Sequence, residues 1–206
     1  MENDLHGEIS LDDQNKEETD TVKDRKEHLS VVDRYYTRKY KTDVQGNISH
    51  DQCILLHSNK VCVVTVAKSH PVLAENKTIT SVNFQVDGGP NRMENKVSGK
   101  GKRGAQKMKA DSPVCYIHCD DGSAYTLYSC VRGMLIEVNK NLVSHPSLIS
   151  EKPETDGYLA IILPPLKEYH AVVSKLDGQE KYLQTLQQRQ QPTPPPDAAM
   201  EDGPPG

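Results

Sequence analysis

Two strand-like stretches, Val114–Cys119 and Ala124–Cys130, are separated only by Asp120-Asp121-Gly122 and Ser123. Asp-Gly between alternating apolar residues is a strong short-range hairpin signal, because glycine reaches the positive φ that a tight turn needs. A chain built around such a hairpin is committed to a sheet with a face to bury. Its neighbours repeat the pattern. Cys53–His57 and Val61–Val66 are rich in β-branched residues, and Ser58-Asn59 between them is turn chemistry, so they form a second hairpin. Ile79–Val86 carries Val82, Phe84 and Val86 at period two. Met134–Val138 and Tyr158–Leu163 supply two further strands.

Helices are minor. Asp177–Arg189 places Tyr182, Leu183 and Leu186 on one side of a helix. Asp33–Lys41 fits a short helix or a strand. No repeat recurs at a solenoid or propeller period. The expectation is a mainly β domain, a small antiparallel sandwich or barrel with a few short helices.

The 206 residues cannot all belong to it, since only 35% are hydrophobic and 5% aromatic. An ordinary globular chain is roughly 45–50% apolar. The deficit sits at the ends. Residues 1–30 hold ten acidic residues against four basic ones, a net of −6, with apolar residues at no period. Residues 187–206 are Gln- and Pro-rich. Both read as disordered tails around a domain at 31–186. Pro192–Pro196 suits a spacer, or a ligand for an SH3- or profilin-like reader of proline-rich motifs. The acidic start, Met1-Glu2-Asn3-Asp4, fits neither a secretory signal nor a transit peptide. No run approaches the roughly 20 apolar residues of a membrane span. A soluble protein of cytosol or nucleus, without a membrane partner, is expected.

Cys53, Cys62, Cys115, Cys119 and Cys130 are odd in number and form no Cys-x-x-Cys, so they read as reduced, mostly buried thiols. On a strand Cys115 and Cys119 share a face while His118 takes the other, which is poor zinc geometry. No metal and no cofactor is expected. Cys53 and His57 share a strand face, as many inert core residues do. The eight histidines are scattered and no nucleophile elbow or metalloprotease motif accompanies them, so the chain reads as a non-enzyme.

One segment is exceptional in charge. Residues 92–109 carry Arg92, Lys96, Lys100, Lys102, Arg103, Lys107 and Lys109 against Glu94, a net of +6. Gly99-Lys100-Gly101-Lys102-Arg103-Gly104 matches the dinucleotide fingerprint in letters, but no apolar strand precedes it and no helix face follows. The glycines predict a flexible cationic loop. It is either a solvated surface or a site for phosphates, acidic protein surfaces or an import receptor. Lys96, Lys100, Lys102, Arg103 and Lys107 are the candidate partner-binding residues. Nucleic acid is the weaker partner, because the loop lacks aromatics for stacking. Tyr35 and Tyr36 with Arg34, Arg38, Lys39, Tyr40 and Lys41 form an aromatic–basic cluster suited to packing an N-terminal segment onto the domain.

Several stretches together resemble one family. They include Val32-Asp33-Arg34-Tyr35-Tyr36-Thr37-Arg38, His57-Ser58-Asn59-Lys60, Ser69-His70-Pro71-Val72-Leu73, Asn95-Lys96-Val97-Ser98-Gly99-Lys100 and Cys130-Val131-Arg132-Gly133. The chain resembles the actin-binding transcription modulators, also called the Abitram or Simiate family, over roughly residues 31 to 170. That family is similar in turn to the glycine cleavage H protein and to lipoyl and biotinyl carriers. Lys102-Arg103-Gly104-Ala105-Gln106, Cys115-Tyr116-Ile117, Val131–Asn139 and Pro146-Ser147-Leu148-Ile149 carry the likeness. The resemblance implies a barrel-sandwich (single hybrid) fold. It also implies binding of monomeric or filamentous actin, an effect on filament assembly, and a nuclear role in transcription. The associated sites are nuclear speckles and actin-rich cell projections such as filopodia and growth cones. In carriers the modified lysine sits at the hairpin tip, whereas Asp120, Asp121 and Gly122 stand there in this chain.

Overall fold

The computed structural model describes residues 29–191. A helical turn α1 (Val31–Tyr35) runs straight into β1 (Tyr36–Lys41), so the segment that fits helix or strand is one followed by the other. Then come β2 (Gln52–His57), β3 (Cys62–Val66), α2 (Pro71–Ala74) and β4 (Ile79–Asn83). A short β5 (Lys107–Met108) precedes the central hairpin β6 (Pro113–Cys119) and β7 (Ala124–Tyr128). The chain continues through β8 (Gly133–Val138), α3 (Asn141–Ser144), α4 (Leu148–Glu151), β9 (Ala160–Leu163), α5 (Tyr169–Val173) and α6 (Gln179–Gln190).

All pairings are antiparallel. A six-stranded sheet has the order β1-β2-β3-β9-β8-β5, and a three-stranded sheet has the order β4-β6-β7. The main core lies between them, with Ile54, Val64, Leu135 and Ile162 from the large sheet meeting Val82, Ile117 and Leu127 from the small one. The other face of β1–β3 buries a second cluster, Val32, Tyr40, Cys53, Leu55, Val63 and Tyr182. Alternation on β2 sends Ile54 to one cluster and Cys53 and Leu55 to the other. Burial on both faces is the reason β2 and β3 read as continuous apolar runs, not alternating ones.

Helix α6 covers that second face. Its Tyr182 ring stacks on Tyr40 at 3.8 Å between centroids. Arg189 pairs with Asp43 at 2.8 Å and with the fully buried Asp51 at 2.7 Å. Gln187–Gln190, which composition assigned to the C-terminal tail, therefore belong to this helix and to the domain. The rest of the expected tails, with the proline-rich motif, lies outside the described residues. No helix among the described residues is long and apolar enough to cross a membrane.

Candidate functional site

The central hairpin turns at Asp120-Asp121-Gly122, and Gly122 adopts φ +81°, the positive value the turn requires. The tip is tied down on three sides. Asp120 N–H donates to the Thr78 carbonyl at 3.0 Å. The Asp121 carboxylate accepts from the Ser123 N–H at 2.9 Å and from the Lys77 ammonium at 2.5 Å. Lys77 also meets Glu75 at 3.1 Å. Hydrogen bonds from Lys77 and Ser123 hold the Asp121 carboxyl below the usual carboxylate range, and Asp121 and Glu75 push the Lys77 amine up. The residues do not fit a lipoyl or biotinyl group. No amine stands on the turn, where a carrier presents its modified lysine, and the lysine beside it is engaged by two carboxylates.

The cationic loop is folded. Asn95 Nδ2 donates to the Leu135 and Ile136 carbonyls, and its Oδ1 accepts from Gln106 N–H. Arg92 is buried, donating to the Pro113 carbonyl at 3.1 Å and to Gln106 Oε1 at 2.8 Å. It is a structural clamp and leaves the charged surface. Within the loop, Ser98 and Arg103 exchange two backbone hydrogen bonds of 3.0 and 2.9 Å. A Cβ on Gly104, at φ +80°, would stand 2.6 Å from the Lys96 carbonyl oxygen. The glycines thus close a turn, which corrects the expectation of a flexible loop. Its fingerprint letters open no helix; β5 follows. Lys96, Lys100, Arg103 and Lys107 are exposed and Lys102 is half-exposed. None of the five pairs with a carboxylate among the described residues.

Other candidates resolve into packing. All five cysteines are free and buried. Burial pushes the Cys53, Cys62, Cys115 and Cys130 thiols up to about 12. His118 points outward, and the described residues hold no cluster of three metal-ligating side chains. His57 packs against Tyr36, the ring centroids 5.0 Å apart and the planes tilted by 57°. Arg38 is spent on Glu154, through bonds of 2.6 Å, and on Asp33 at 2.5 Å.

Three features escaped the sequence. An open groove of about 820 Å³ lies beneath α6, lined by Tyr40, Cys53, Val66, Tyr182 and Leu186 among others. His70 is wholly buried against His50 and Tyr125, ring centroids 5.2 and 5.1 Å away. Its Nδ1 accepts from Val72 N–H, so the proton sits on Nε2, which has no partner among the described residues. A smaller cavity of about 200 Å³ sits among Lys41, Arg132 and Lys175. Strand pairing brings two of its walls together: Met108 pairs with Gly133, next to Arg132, and Cys130 N–H donates to the Ala110 carbonyl at 3.0 Å.

The site thus sits on a two-sheet antiparallel β domain, with a tied hairpin tip and a cationic turn before β5. The family model for the glycine cleavage H-protein matches residues 91–189. The solved glycine cleavage system H protein of Mycobacterium marinum superposes with a TM-score of 0.50 at 16% identity, over 73% of this chain and 97% of that one. The class is thus the H-protein-like β domain, as the resemblance implied.

Within that class the chain belongs to the Abitram family. It is 49% identical to Protein Abitram of Homo sapiens over 160 residues, 78% of this chain and 88% of that protein. Protein Abitram of Gallus gallus is 50% identical over 157 residues, 76% of this chain and 91% of that protein. That of Drosophila melanogaster is 37% identical over 170 residues, 82% of this chain and 76% of that protein.

Proposed function

We propose that this chain is a non-enzymatic adaptor that binds actin, modulates its assembly and takes part in transcription. The reading draws on membership of the Abitram family and on what the resemblance to that family implies, actin binding and a role in transcription. The observation that carries it is the cationic turn: Lys96, Lys100, Lys102, Arg103 and Lys107 have no carboxylate partner among the described residues. Unpaired cations on a closed turn steer an acidic protein surface into register. The closed turn also argues against an import signal, since a receptor that reads an extended peptide must first break the Ser98–Arg103 bridge. The proposed locations are the cytoplasm, with its actin-rich projections, and the nucleus, including its speckles, where transcription or splicing components are partners.

Actin co-sedimentation of the full chain tests this, beside a variant with Lys100, Lys102, Arg103 and Lys107 changed to Glu. Pelleting of the parent and not the variant supports the adaptor and its contact. Pelleting of both keeps actin and removes the loop. Pelleting of neither, at low or physiological salt, removes filamentous actin, and no co-elution with monomeric actin on size exclusion removes actin altogether. The same exposed cations favour a second reading, a nucleic-acid- or chromatin-associated adaptor. It requires affinity for nucleic acid that falls steeply with salt.

A further inference from the structure

We propose that the cavity between Lys41, Arg132 and Lys175 is a seat for a carboxylate side chain, and that it receives an acidic peptide segment of a protein partner. The proposal stands apart from the actin reading, because it names the chemistry of a site whichever protein supplies the segment.

Three elements converge there. Lys41 ends β1, Arg132 immediately precedes β8, and Lys175 lies in the turn after α5. One carboxylate answers the three cations: Glu168 pairs with Arg132 at 2.6 Å. Lys41 and Lys175 have no carboxylate partner among the described residues, so two positive charges remain at the rim. The floor is apolar, made by the buried Cys130 and Val131 and the half-buried Val172. A cationic rim above an apolar floor complements a carboxylate on a short aliphatic stem.

Size narrows the occupant. The cavity's 200 Å³ matches roughly seven waters at about 30 Å³ each, room for one aspartate or glutamate side chain and the waters around it. No aromatic ring lines it, so it offers a nucleobase no stacking surface. Length comes from outside the cavity. Ala110 lines it, and Lys107 and Lys109 lie on β5, the edge of the large sheet, and just beyond. An extended acidic segment that seats one carboxylate in the cavity meets these lysines with its next ones, and from there reaches the cationic turn.

The test uses the full chain and a fluorescein-labelled oligoglutamate peptide, read by anisotropy. Lys41→Glu with Lys175→Glu is compared with Lys100→Glu with Lys102→Glu, an identical change in net charge. The proposal expects the first pair to weaken binding about tenfold, roughly 1.4 kcal/mol, and the second less than about threefold, the size of an exposed rim charge. Ala171→Glu, an exposed change on α5 that places a carboxylate in the cavity, also weakens the peptide. Equal losses in the two double variants, or no loss with Ala171→Glu, overturn the proposal. So does an oligonucleotide that binds more tightly than the peptide and is lost with Lys41 and Lys175. Neutralising Asp12, Asp13, Glu17 and Glu18 to their amides leaves peptide affinity unchanged if a partner supplies the segment. A large gain on that change would assign the seat to the chain's own acidic residues instead.

Discussion

The side-chain amide of Gln52 closes both backbone groups of Tyr128: Nε2 donates to its carbonyl and Oε1 accepts from its N–H, each at 2.8 Å. Gln52 belongs to the six-stranded sheet and Tyr128 to the three-stranded one, so one side chain acts as a rung between the two sheets. Pro113, paired with Tyr128 in the β6–β7 register, has no N–H to offer in its place. Gln52 is 1% exposed, and water cannot take over when it is truncated. Gln52→Leu leaves the Tyr128 N–H unsatisfied and its carbonyl with only the weak Cys130 S–H donor at 3.7 Å, the first at about 1–3 kcal/mol and the second at less. A fall of about 2–4 kcal/mol in urea-unfolding free energy is expected, and a change below 0.5 would deny the rung its role.

The hold of α6 on the sheet is concentrated in two places. Tyr182 lies flat on Tyr40 and donates its hydroxyl to Ser69 at 2.8 Å, while Arg189 reaches Asp43 and Asp51. Tyr182→Ala removes a buried ring at about 3–5 kcal/mol, whereas Tyr182→Phe loses one hydrogen bond worth about 1 kcal/mol. Arg189→Ala strands the buried Asp51 carboxylate and falls between those two, at about 2–3 kcal/mol, since Arg189 itself is partly exposed and screened. Thermal melts order the three; Tyr182→Phe as harmful as Tyr182→Ala would show that the ring stack contributes little.

His70 makes stability fall with acid. Burial holds its imidazole neutral, with its pKa lowered from 6.5 to about 3. The unfolded chain takes up a proton below about 6.5 and the native one does not, so the native state loses about 1.4 kcal/mol per pH unit from there down towards pH 3. His50, lowered mainly by burial, works in the same direction. Asp51, held below its ordinary value of 3.8 chiefly by Arg189 and Ser69 against the cost of burial, adds its loss only at lower pH. Urea unfolding between pH 6.5 and 4.5 therefore isolates the histidines. His70→Asn keeps an acceptor for Val72 N–H at the start of α2 without a titrating ring, and flattens that slope. An unchanged slope would place the acid sensitivity elsewhere.

Local chemistry made the strands legible. Asp-Gly fixed the central hairpin, β-branched runs marked β2 and β3, and the reduced cysteines fall where apolar packing put them. Period-two reasoning even separated His118 from Cys115 and Cys119. Charge density alone misled. It counted Arg92 with the surface cations, although its guanidinium clamps Gln106 and Pro113 inside the domain. It also passed over Lys41, Arg132 and Lys175, which are far apart in sequence and meet only through strand register and the seating of α5. The groove under α6 was equally invisible, because a gap between a helix and a sheet leaves no mark on either sequence. The helix reading reached Arg189, in agreement with the structure, while composition put Gln187–Gln190 in the tail because glutamine carries no apolar signal; Arg189 anchors that end by charge.

The hairpin tip yields the last expectation. Lys77 sits where a carrier's acyl group would be sought, yet Asp121 and Glu75 hold its amine protonated. Acylation needs the free amine, and releasing it means breaking both ion pairs as well as removing the proton. The protein isolated from cells of its own source should therefore carry no lipoyl or biotinyl mass on Lys77. Lys77→Ala should leave the fold intact, with a stability change under about 1 kcal/mol, as for other exposed ion pairs. A lipoyl or biotinyl adduct found on Lys77 by peptide mapping would contradict the locked tip and return the chain to the working carriers.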